Sequence, residues 1–132
     1  MKTIICDIDG TIFKYLGGTP EVVKGRVEPL PGVIEQMNRW EMEGSRLILI
    51  TGRRESLRKK TEYDLQRFGI PYDVLLMGYA DSGRVVINDE GSKVKAHAVS
   101  LKRDEGFKDY EWGEVGLTKM KSYSSSKYHL FN

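Results

Sequence analysis

The chain has 132 residues, 39% hydrophobic and 30% charged, with a formal net charge of +2 and one cysteine, Cys6. These figures fit one globular domain. They exclude an internal disulfide, and the small net charge gives no reason to expect nucleic acid or a membrane surface as partner. No apolar run approaches the length of a membrane span, and the first residues lack a basic stretch leading into a long apolar core; a cytoplasmic location without a membrane partner is expected.

Thr3 to Ile8 reads as a short, apolar, β-branched strand. Phe13 to Pro29 follows as a polar, glycine-containing flap. PGVIEQMNRWEMEG predicts a helix: Pro31 suits its first turn, Val33, Met37 and Trp40 share one face, and Gly44 can end it. Arg46 to Ile50, RLILI, is the second expected strand. A second helix is expected within TGRRESLRKKTEYDLQRFG, with Leu57, Thr61, Leu65 and Phe68 on one stripe and Gly69 and Pro71 stopping it. Asp73 to Met77, Arg84 to Asn88 and Ala96 to Leu101 complete the strands.

Strands alternating with helices predict an α/β fold, here a three-layer Rossmann-like sandwich around a mainly parallel five-stranded sheet. The unalternating run LILI suits strands covered on both faces. The six residues GYADSG between the third and fourth strands are about half the length a helical crossover requires. Either this link crosses the sheet without a helix, or DVLLM is an irregular edge strand. Residues 1–106 form the expected catalytic core, and 107–132 a tail, equally readable as a packed arm or as partly disordered.

In open parallel sheets, reactive groups gather beyond the carboxyl ends of strands. Three such ends carry suitable residues: Asp7 and Asp9 in CDIDGTI; Thr51, Gly52 and Arg53; and Asn88, Asp89 and Glu90. Asp7 and Asp9 alternate onto one side of an extended segment. Their mutual repulsion would be relieved by Mg²⁺, which takes oxygen ligands and keeps several waters; Asp89 can complete that set. Gly10 permits a sharp turn that exposes amide groups to phosphate oxygens, and Thr11 can fix the loop. Thr51 offers a hydroxyl and Gly52 an unobstructed N–H beside the start of the second helix. A carboxylate there can attack phosphorus, and a second can transfer protons.

DIDGT, with ITGR after the next strand and VVIND further on, resembles the haloacid dehalogenase superfamily of phosphohydrolases over roughly the first three quarters of the chain. The resemblance implies a Mg²⁺-dependent phosphatase working through an aspartyl-phosphate. It implies Asp7 as nucleophile and Asp9 as acid/base, with a backbone carbonyl on the metal. It further implies Thr51 as the phosphate-binding hydroxyl, and Asp89 with Asn88 as the acidic metal motif. The family's phosphate-binding lysine has no obvious counterpart: Tyr79 stands at one usual place, leaving Lys93, or else Lys59 or Lys60, with Lys93 preferred. The last motif reads Asn-Asp instead of Asp-Asp.

Neither gap between motifs can hold a cap domain, so an open site is expected, covered if at all by a second copy of the chain. VVIND and the sequence after it resemble a small capless subgroup associated with surface-polysaccharide synthesis, implying a phosphorylated small molecule, a sugar phosphate, as substrate. Two alternatives differ in kind. One is a catalytically weak relative that binds phosphorylated ligands, suggested by the missing lysine. The other is a nucleic-acid end-processing phosphatase, suggested by the open site and the basic run Arg53, Arg54, Arg58, Lys59 and Lys60, although such a run usually marks a solvated helix face. His97 and His129 lack ligand-like partners, and Cys6 should face the packing behind the nucleophile.

Overall fold

The computed structural model describes residues 1–79, 82–91, 94–121 and Tyr123. Lys93 and His129 therefore lie outside the described residues. The fold is α/β with an open parallel sheet. Strands β1 (Thr3–Asp7), β2 (Arg46–Thr51) and β3 (Val74–Met77) are arranged in the order β1-β2-β3, each parallel to its neighbour. Asp7 pairs with Ile50 and Thr51 with Met77, so the three carboxyl ends meet along one rim.

Three helices join these strands. α1 (Thr19–Lys24) lies within the expected flap, α2 (Val33–Met42) between β1 and β2, and α3 (Arg58–Arg67) between β2 and β3. The expected apolar stripe of α2 is buried: Val33, Met37 and Trp40 keep almost no surface. The stripe of α3 continues through the short 3-10 turn Glu55–Leu57, and Leu57, Thr61, Leu65 and Phe68 are all buried. Together with Leu47, Leu49, Leu75 and Met77 these apolar side chains form one core, each contributing roughly 1.5–3 kcal/mol through removal from water.

The expectation of five strands is corrected to three among the described residues. Arg84 to Asn88 and Ala96 to Leu101 have no strand pairing, and Val85 and Ile87 are 86% and 88% exposed. β-branched residues favour extended backbone, but a strand also needs a neighbour to complete its hydrogen bonds. A six-residue link from β3 cannot carry the chain back alongside the sheet by a helical crossover. DVLLM is an edge strand, in regular register with β2 over Val74 to Met77. The sheet is also less covered than LILI suggested: Leu47 and Leu49 are buried, whereas Ile48 and Ile50 on the opposite face are only partly covered.

The segment after residue 106 joins the same core. Phe107 and Trp112 are buried, and their rings lie 5.8 and 4.9 Å from that of Trp40. Trp40 Nε1 donates to the Thr118 carbonyl at 2.9 Å. Gln36, wholly buried, donates to the same carbonyl and accepts from the Met120 N–H and the Tyr123 hydroxyl, each at 3.0 Å. Residues 107–121 are thus a packed arm.

Candidate active site

Beyond the rim of the sheet lies a crevice of about 700 Å³ lined by Asp7, Asp9, Thr51 and Gly52 together with Arg53, Arg84, Arg103 and Tyr15. β1 delivers Asp7 at its last position. The chain then turns: Ile8 is wholly buried, and its carbonyl accepts hydrogen bonds from the N–H groups of Thr11, Ile12 and Phe13. Gly10 makes the turn possible, with φ at +84°, a region that side chains with a Cβ avoid. This turn aims Asp9 back over the crevice.

The electrostatics are dominated by arginine. The Arg53 guanidinium is almost wholly buried and grips Asp9 with two nitrogens: Nη2 to Oδ1 at 2.7 Å and Nε to Oδ2 at 3.0 Å. Its third nitrogen donates to Thr61 Oγ1 at 3.0 Å, so α3 holds the fork in place. Such planar, two-point pairing is what guanidinium does and an ammonium cannot. Asp7, with its side chain 40% exposed, faces Arg84 Nη1 at 3.3 Å. Thr51 is buried, and its hydroxyl oxygen accepts from the Arg53 N–H at 3.0 Å, fixing the turn after β2. The Gly78 and Tyr79 amides donate to the Arg53 and Thr51 carbonyls, tying the exit of β3 to that of β2.

Beside Asp7, Cys6 packs against the core and donates to the Asp7 carbonyl at 3.2 Å. Burial, reinforced by the Asp7 carboxylate, pushes its thiol up to about 12. It is a proton-bearing packing group rather than a nucleophile.

The structure brings Asp7, Asp9, Thr51 and Gly52 together and leaves other expected site residues elsewhere. The Gly10 amide donates to the Phe13 carbonyl at 2.7 Å and the Thr11 amide to Ile8 at 3.1 Å, so neither is aimed at a ligand, and neither residue lines the crevice. Asn88 and Asp89 are exposed and also absent from its lining; Asp89 Oδ1 instead accepts from the Gly91 N–H at 2.9 Å. Lys59, Lys60 and Tyr79 do not line it either, and Lys60 pairs with Asp64. His97 is exposed.

The oxygen donors on the crevice suit Mg²⁺ in kind. Asp7 supplies a carboxylate and Asp9 a backbone carbonyl, its own carboxylate being engaged by Arg53, and a magnesium ion ordinarily retains water at its other positions. Among the described residues no group of three or more His, Cys, Asp or Glu is placed to hold an ion. Among the described residues, Asp7 and Asp9 are the acids on the crevice that such an ion would meet.

The basic run on α3 is also less free than it reads. Besides Arg53, Arg58 pairs with Glu55 and Glu62 and donates to the Leu75 carbonyl at 3.0 Å. Arg84, Arg103 and Tyr15 are crevice residues that sequence reasoning did not single out. Arg84 opens a segment read as a strand, Arg103 follows another, and Tyr15 lies in the flap. The one available signal was the placement of arginines beside those segment ends.

No family model and no curated protein matches the chain. Solved structures do. A chain in a structure of the Pnkp1/Rnl/Hen1 complex is 29% identical, with a TM-score of 0.51, over 64% of this chain and 30% of its own length. A chain in a structure of the Pnkp1/Rnl/Hen1 RNA repair complex is 30% identical, also with a TM-score of 0.51, over 63% of this chain and 27% of its own length. This chain thus spans less than a third of the length of these two chains.

Proposed function

We propose that the chain is a phosphatase of the haloacid dehalogenase type, Rossmann-like in its layering, that removes terminal phosphates from nucleic-acid ends. The observation that carries the reading is the convergence of Asp7, Asp9, Thr51 and Gly52 with the guanidinium groups of Arg53, Arg84 and Arg103 on one open crevice at the strand ends. The likeness to chains of an RNA repair complex favours a nucleic-acid substrate over the sugar phosphate suggested by the sequence.

In this reading an Asp7 carboxylate oxygen attacks phosphorus, forming an aspartyl-phosphate as the bond to the leaving oxygen breaks. Asp9 gives that oxygen a proton. It then takes one from the water that attacks the aspartyl-phosphate, releasing inorganic phosphate and restoring Asp7. Asp9 Oδ1 accepts two Arg53 N–H groups, whereas Oδ2 accepts one and keeps a further lone pair for the proton. Arg53 fixes the carboxylate's direction, Thr51 and Gly52 line the phosphate's seat, and Arg84 and Arg103 counter its charge. Mg²⁺, held by Asp7 and Asp9, would supply charge neutralisation between the attacking carboxylate and the phosphoryl oxygens.

Hydrolysis of p-nitrophenyl phosphate that requires Mg²⁺ and disappears in Asp7→Asn is the expected result. Dephosphorylation of 3′-phosphorylated RNA oligonucleotides should proceed with higher kcat/KM than that of sugar phosphates. Equal or lower values for RNA would remove the nucleic-acid part of the proposal, and metal-independent turnover retained in Asp7→Asn would remove the rest.

A further inference from the structure

The crevice lining carries a feature that phosphate chemistry does not require. The Arg103 guanidinium carbon lies 4.5 Å from the centre of the Tyr15 ring, yet Tyr15 remains 44% exposed. One face of the ring is occupied by a cation while much of its surface stays open. Both side chains line the crevice with Arg84.

The pair is tied directly to the loop that bears the acids. The Tyr15 N–H donates to Asp104 Oδ1 at 2.8 Å, and the Asp104 N–H donates to the Gly10 carbonyl at 2.9 Å. Asp104 makes these bonds with φ at +65°, a left-handed conformation that costs a residue with a Cβ about 1 kcal/mol or more. A Cβ on Gly10 would come within 3.1 Å of Arg103 Cγ, so the arginine stem lies close against the turn between the acids and the flap. The acids, the tyrosine and the arginine are held in one assembly.

An aromatic ring with a stacked guanidinium, beside a second arginine, suits a nucleobase joined to a phosphodiester: the base stacks while the backbone meets positive charge. We propose that Tyr15 and Arg103 form a stacking platform for a base near the end of a single-stranded RNA, with Arg84 and Arg103 contacting its backbone, so that the terminal phosphate is delivered towards Asp7. This inference rests on the nucleic-acid reading above and assigns its specificity to Tyr15.

The test is fluorescence anisotropy with a fluorescein-labelled, single-stranded hexanucleotide RNA bearing a 3′-phosphate, and with the same RNA made abasic at its last two nucleotides, both in EDTA. Wild-type protein should bind the intact RNA roughly five- to a hundredfold more tightly than the abasic one, the range expected for a stacked base. Tyr15→Ala should lose a similar factor on the intact RNA and little on the abasic one, while Tyr15→Phe should stay within about twofold of wild type. Equal wild-type affinity for the two RNAs would overturn the platform whether or not the variants fold. So would a Tyr15→Ala loss of the same size on both probes. Tyr15-dependent RNA binding without any phosphate release would retain the platform and dismiss the phosphatase. RNA dephosphorylation without base-dependent binding would do the reverse.

Discussion

At the scale of single residues, the pair Arg53 and Asp9 has the most to lose. With the Arg53 side chain 3% exposed and Asp9 20%, removing either partner leaves the other poorly compensated. Arg53→Ala should lower stability by about 3 kcal/mol in urea unfolding, the lower end of the range for a broken buried pair because Asp9 keeps some water. Arg53→Lys should recover only part of this, since one ammonium cannot reproduce the two-point grip; a full recovery would show that charge alone matters. Asp9→Asn should slow both phosphorylation and hydrolysis about 10²- to 10⁴-fold, measured by single-turnover kinetics. The acids of this site were legible because DIDGT puts unusual chemistry immediately after an apolar strand. Arg53 was legible as a strand-end residue beside Thr51 and Gly52, but its burial and its grip on Asp9 were not, because only tertiary structure selects it from the basic run while Arg58 pairs with Glu55.

At the scale of elements, α2 and α3 were legible because their apolar residues recur with the helical period, and the same residues are the buried ones. The segments 84–88 and 96–101 show what such reading misses. A β-branched run records a preference for extended backbone, whereas membership of a sheet depends on a distant partner and on a link long enough to reach it. The packed arm was equally hidden. Its hold on α2 depends on a close backbone approach at Gly106, where φ is +79° and an added Cβ would lie 2.4 Å from the Pro31 carbonyl oxygen. The neighbouring Phe107 N–H donates to that same carbonyl at 2.8 Å. Gly106→Ala should therefore cost at least the roughly 1–3 kcal/mol of a strained backbone residue, read as a lower melting temperature. An unchanged melting temperature would mean that the arm contributes nothing to the fold.

At the scale of the whole molecule, the net charge of +2 is a poor guide to binding, because position outweighs the sum. Arg58 and Lys60 of α3 are neutralised by neighbouring acids, while Arg103, and Arg84 facing Asp7, stand on the crevice. RNA affinity should fall with rising salt, and Arg103→Ala should flatten the logarithmic slope by about 0.7, the value for one lost contact to a single-stranded phosphate. An unaltered slope would place the RNA backbone elsewhere.

The fastening of the arm also constrains how the protein comes into being. Trp40 and the Thr118 carbonyl it bonds are 78 positions apart, and Phe107 and Trp112 fill the space beside it. During synthesis α2 must therefore leave the ribosome with its indole uncovered and wait for those 78 further residues before that surface can close. Nascent chains halted before Phe107 should be sticky and easily cut by proteases.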